Sequence, residues 1–123
     1  MTTLSIVVHC YNEEYTLAKC IAKVMEIRDA DLKLEIIIVD DHSNDRSLKI
    51  AEELAAQHQE IQVIHHDKNQ GKGAALRSGF ARASGDFVAV QDADLEYDPK
   101  DLKKLLIPLV EGKADVVLGS RFL

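Results

Sequence analysis

Short runs of valine and isoleucine alternate along this chain with longer stretches whose apolar residues recur at three- and four-residue steps. A fold has to satisfy both periods in turn, which points to βαβ units around a mostly parallel sheet. The runs predict strands over Leu4 to His9, Leu34 to Asp40, Gln62 to His66, Phe87 to Gln91 and Asp115 to Leu118. Between them, Leu17, Ile21, Val24 and Met25 predict an amphipathic helix over Glu14 to Ile27, and Leu48, Ala51, Leu54 and Ala55 predict a second. A third is expected over Gly73 to Ala83. A fourth is capped by Asp98 and Pro99, runs through Leu109, and is kinked or ended by Pro108.

No linker, repeat or low-complexity tract interrupts the alternation, so one domain over residues 1–123 is expected. Fifteen Lys and Arg against 21 Asp and Glu give a net charge of -6. That balance argues against a nonspecific grip on nucleic acid or on an anionic membrane. The two cysteines, Cys10 and Cys20, form no CxxC, the opening residues lack a secretory pattern, and no apolar run approaches the length of a membrane span. A reduced, cytoplasmic setting is the expectation.

In open parallel sheets, ligands bind beyond the carboxyl ends of the strands. Here the expected ends read HCYNEE, DDHSND, HDKNQGKG, QDADLE and GSR, so sequence-distant acids, amides and glycines should meet on one rim. Asp, Ser and Asn also cap helices, and Ser43 to Asp45 fit a capped turn equally well. Asp40 and Asp41 end an apolar strand, where a carboxylate can accept a hydrogen bond from a nucleobase N–H. NQGKGAAL is not a phosphate loop of the GxxxxGK[ST] type, since Gly73 follows Lys72. Gly71 and Gly73 still allow close backbone approach, and Arg77 lies one turn further on. Asp92 and Asp94 flank a single small residue at a strand end, a spacing that lets both turn towards a divalent cation holding a diphosphate. His58, His65 and His66 lack metal-ligand spacing and are expected at the surface or at strand ends. His9 is expected to face the rim. No GxSxG elbow supports hydrolase chemistry.

These segments, in order, resemble glycosyltransferase family 2, the nucleotide-diphospho-sugar transferases of the GT-A fold. SIVVHCYNEE resembles its opening strand and turn, VDDHSND its DDGSxD segment, NQGKGAALRSGF its third-strand loop and helix, QDADLEYDP its DxD region, and VVLGSRF a later strand. The branch that loads mannose or glucose onto a polyprenyl phosphate such as dolichyl phosphate is the most similar. The resemblance implies a three-layer α/β/α sandwich, Rossmann-like and truncated, forming the donor half of an inverting hexosyltransferase. Its partners would be a UDP- or GDP-sugar and a lipid-phosphate acceptor, with Mg²⁺ or Mn²⁺ as cofactor.

Carried over by position, the resemblance implies that Tyr11 and Glu13 line the nucleotide pocket and that Asp41 reads the base. Asp92 and Asp94 serve the metal and diphosphate, with Glu96 assisting and Arg121 contacting the phosphates. Gly71, Lys72, Arg77 and Ala93 complete the donor site. The pattern departs from the family at His9, where proline is usual, and at His42, where glycine is usual. Family members continue into an acceptor half that supplies the general base, so no catalytic base is assigned within these residues. The full-length protein is expected at the membrane surface, and an exposed sheet edge favours self-association. Two other readings fit parts of the chain. IIIVDDHS resembles the acidic strand end of phosphoacceptor receiver modules, and a binding module without catalysis would keep the same pocket.

Overall fold

The structure is a computed structural model that describes residues 2–93 and the backbone of 116–118. Its elements in chain order are β1 (Thr2–Cys10), α1 (Leu17–Met25), β2 (Leu32–Asp40), α2 (Ser47–Gln57), β3 (Ile61–His65), α3 (Lys72–Arg82), β4 (Phe87–Asp92) and β5 (Val116–Leu118). The expected helix from Asp98 through Leu109 lies outside the described residues, as do Asp94, Glu96 and Arg121.

All strand pairings are parallel, in the order β3-β2-β1-β4-β5. The apolar runs form the centre of this sheet because both of its faces are covered, as near-continuous Val/Ile strands require. Ile6, Val8 and Cys10 of β1 and Ile36 and Ile38 of β2 pack with Leu17, Cys20, Ile21 and Val24 of α1 and Ala51 of α2. Val7, Ile37 and Val39 point the other way, onto Ala75 of α3. The result is the expected α/β/α sandwich.

The chain steps outward from β1 to β3 with α1 and α2 on one face. It then returns past β1 to β4 with α3 on the other, as right-handed parallel connections demand. Strand order therefore reverses between β1 and β4, and the crevice of such a fold opens at that switch point. Receiver modules use the order 2-1-3-4-5 instead, so the receiver reading does not fit this sheet.

Two local details set the rim. The helix expected from Glu14 starts instead at Leu17, because the Glu14 amide donates to Asp45 Oδ2 and the first helical turn closes with Leu17 N–H on the Glu13 carbonyl. On the opposite face, α3 sits close against β1 at Gly79, where an added Cβ would stand 2.3 Å from Val7 Cγ1. No helix among the described residues is long and apolar enough to cross a membrane.

Candidate functional site at the strand switch point

The loops after β1 and β2 are tied together by short polar side chains. Asn12 N–H donates to Ser43 Oγ (2.9 Å), Glu13 N–H to Ser47 Oγ (2.8 Å), and Asn44 N–H to Asn12 Oδ1 (2.7 Å). Asp45 accepts from Ser47 N–H (2.9 Å) and from Glu14 N–H (3.2 Å). Burial pushes its carboxyl up, but the Ser47 hydroxyl and these amides hold it below the ordinary carboxylate range. The Ser43 to Asp45 segment thus caps a turn, as one reading had it, and also fixes the neighbouring loop. Tyr11 is exposed at this rim, while the Glu13 carboxylate accepts a bond from Thr16 Oγ1 at 2.9 Å. His42 follows β2 with φ 63°, the left-handed backbone that glycine adopts without cost, which accounts for glycine being usual at this place in the family.

Asp41 is the hub of the next loop. Only 1% exposed, it accepts Gln70 N–H and His66 Nδ1 on Oδ1 and Gly71 N–H on Oδ2, each at 2.9 Å. Burial raises its pKa, but the Gln70 amide, His66 and the Gly71 amide outweigh that and lower it. The residue expected to read a base is therefore engaged in shaping the β3–α3 loop, where Gly71 takes φ 91°. His58 and His65 are partly exposed, as expected. His66 lies at the end of β3, the other expected place, but is buried: it is 7% exposed, and its Nε2 lies 2.8 Å from Ser78 Oγ. The reason is register. Asp40 pairs with His65 across β2 and β3, which sets His66 beside Asp41.

At the switch point, His9 of β1 pairs with Asp92 of β4, and Ala93 N–H donates to the His9 carbonyl at 3.2 Å. Lys72, the first residue of α3, reaches across with Nζ 2.8 Å from Asp92 Oδ1 and 3.0 Å from Oδ2. Among the described residues His9 Nε2 is buried without a hydrogen-bond partner. Burial lowers the His9 pKa, the Asp92 charge opposes this and Lys72 reinforces it, so the net effect favours the neutral imidazole. Arg77 is exposed one turn further along α3.

Of the expected metal ligands, only Asp92 is described. It supplies a hard oxygen donor suited to Mg²⁺ or Mn²⁺, and the Lys72 ammonium already sits on it. Among the described residues no three His, Cys, Asp or Glu side chains group as a metal site. A cavity of about 630 Å³ lies at the opposite end of the sheet, lined by Thr3, Arg28, Lys33, Glu35, Gln62 and Ser84 among others. It is remote from the acids and glycines of the rim.

A family model described as Glycosyl transferase family 2 matches residues 5–123. The chain is 34% identical over 119 residues to a dolichol-phosphate mannosyltransferase of Pyrococcus furiosus, covering 97% of this chain and 33% of that protein. It resembles a solved mannosyltransferase from Pyrobaculum calidifontis in complex with GDP-Man and Mn²⁺ (TM-score 0.70, 26% identity, 81% of this chain and 30% of that one). It also resembles glucosyl-3-phosphoglycerate synthase from Mycobacterium tuberculosis in complex with UDP (TM-score 0.73, 28% identity, 91% and 41%). The chain spans about a third of the length of the mannosyltransferase relative.

Proposed function

Because this chain belongs to glycosyl transferase family 2, we propose that it is the donor half of a hexosyltransferase, binding a UDP- or GDP-sugar at the β1/β4 rim. The observation that carries this reading is the convergence of Lys72 and Asp92 at the strand switch point, 2.8 Å apart and beside His9. An ammonium there matches the negative diphosphate of a nucleotide sugar. The two stitched loops hold Tyr11 and Glu13 at the edge of the same opening. The relatives and neighbours supply the chemical class, since one is named a dolichol-phosphate mannosyltransferase and others were solved with GDP-Man and with UDP.

In the proposed reaction an acceptor oxygen displaces the nucleoside diphosphate in line at the anomeric carbon, inverting the sugar. A polyprenyl phosphate acceptor fits, because its oxygen is already ionised at neutral pH and needs little general-base help. Within these residues Lys72 binds the diphosphate and the Asp41 network keeps the Gly71 backbone shaped against it. Asp92, with Asp94 and Glu96, would hold Mg²⁺ or Mn²⁺, which supplies charge neutralisation at the leaving diphosphate. The proposed setting is the cytoplasmic membrane surface.

A thermal-shift panel of UDP-, GDP- and dTDP-sugars with and without Mn²⁺ tests this. One base series should raise the melting temperature, and more so with Mn²⁺. No shift with any nucleotide sugar would sink the donor reading. Turnover when lipid phosphate is added would rule out the module without catalysis.

A further inference from the structure

Asp41, His66 and Ser78 form an unbroken chain of hydrogen bonds, with His66 Nδ1 2.9 Å from Asp41 Oδ1 and His66 Nε2 2.8 Å from Ser78 Oγ. The connectivity matches that of a hydrolytic triad, but the setting does not. Ser78 lies inside α3, where backbone N–H groups are consumed by carbonyls four residues back, so no pair of amides is available beside it to hold an oxyanion. What the chain joins is structural: the residue after β2 through Asp41, the residue after β3 through His66, and α3 through Ser78.

We infer that His66 is a positioning residue for the donor site, acting through Asp41 on the loop that delivers Gly71 and Lys72. The ionised Asp41 carboxylate can only accept, so His66 Nδ1 carries a proton and donates to it, while Nε2 pairs with the Ser78 hydroxyl, which can donate or accept. With His66 so held, Asp41 is fixed in the orientation that receives the Gln70 and Gly71 amides. Asn69 Nδ2 adds a bond to the Asp41 carbonyl at 3.3 Å, and the His66 amide donates to the Asp40 carbonyl at 2.9 Å. Gly71 in turn starts α3, since Ala75 N–H donates to its carbonyl, and the next residue, Lys72, reaches Asp92. His66 is assigned no contact with the donor.

The inference rests on the donor-site reading for its functional part, and the test separates the two. The full chain is prepared as wild type, His66→Ala, His66→Asn and Ser78→Ala, each checked for a cooperative melt. Amide hydrogen exchange at Gln70 and Gly71 and the ¹⁵N signature of the His66 ring are read without ligand. UDP- and GDP-sugar affinity is read separately.

The wild-type ring should show a protonated Nδ1. H66A should lose protection at Gly71 and bind the preferred donor about tenfold more weakly, the equivalent of one or two lost hydrogen bonds. H66N, whose side-chain amide restores a donor towards Asp41, should recover most of both. S78A should loosen the ring with a smaller loss of affinity. A bare Nδ1 in the wild type, or folded H66A with unchanged Gly71 exchange, overturns the inference. So does H66N failing to recover while folded. Failure of the wild type to bind any nucleotide sugar overturns the donor reading alone, and the ligand-free measurements still decide the positioning role.

Discussion

Each end of the sheet carries a carboxylate that gathers the elements around it, and the two ends differ in what is left over. At the amino end, Glu35 accepts Ser5 Oγ (2.6 Å), Ser84 N–H (2.8 Å), Ser84 Oγ (2.7 Å) and Gln62 Nε2 (3.3 Å), joining β1, β2, β3 and the turn before β4. At the carboxyl end, Asp41 gathers Gln70, Gly71 and His66 in the same way. But among the described residues only the carboxyl end also holds the Lys72–Asp92 ion pair and a buried His9 Nε2 with no partner among them. Buried polar atoms are normally satisfied, so this exception calls for an explanation, of which a bound ligand is one. One hub joins the strands at its end and borders the cavity there; the other shapes the loop that brings Lys72 to Asp92.

That contrast predicts the largest effect at Asp41. Asp41→Ala leaves two loop amides and the His66 ring without their acceptor, and should cost on the order of 3 kcal/mol in urea unfolding. It should also weaken donor binding. Glu35→Ala should cost less, about 1–2 kcal/mol, because Glu35 is only half-buried and water replaces part of what is lost. Donor affinity should be untouched. If both variants weaken the donor equally, the two ends are not functionally distinct.

How much of this contrast was legible in the sequence depended on the kind of interaction. The apolar run at Ile36 to Val39 and the acids after it were enough to locate β2 and its polar end, since burial on both faces leaves a direct trace in residue type. Lys72 and Asp92 could be named as rim residues, but their pairing needs α3 to cross to the far face. His66 is expected at the surface or at a strand end, and the second holds. Its burial follows from a register between β2 and β3 and a partner on α3, neither of which leaves a local pattern. Asp41 reads from the sequence as an acceptor for a nucleobase N–H, because the amides that occupy it are backbone groups and carry no sequence signal.

Both hubs also shape the response to acid. Burial raises the Glu35 pKa, but the Ser5, Ser84 and Gln62 bonds outweigh it, so Glu35, like Asp41, is lowered from its ordinary value of 4.5 or 3.8. A carboxyl lowered on folding stabilises the native state above its unfolded pKa and loses that contribution as pH falls through the folded value. Unfolding free energy should therefore decline from about pH 4.5 downward. Glu35→Gln should make the decline shallower without changing donor affinity, and an unchanged slope would remove Glu35 from the account.

The smallest expected effect is at Cys10, whose thiol is pushed up to about 12 by burial and by the nearby Asp40 and Glu13 charges, against a bond from Ser47. It should resist alkylation at pH 8 until the chain unfolds, because the thiolate is the reactive form. Rapid labelling in the native state would show that the rim at the end of β1 opens more readily than the stitched loops imply.

The central claim is that donor chemistry belongs to the Asp92 end of the sheet and not to the Glu35 end. Titration calorimetry of the preferred UDP- or GDP-sugar with Mn²⁺, on wild type, Asp92→Ala and Glu35→Gln, tests it directly. Wild type and E35Q should bind with matching affinity, and D92A should lose at least about tenfold. Equal affinity in wild type and D92A, or a loss in E35Q as large as in D92A, would contradict it.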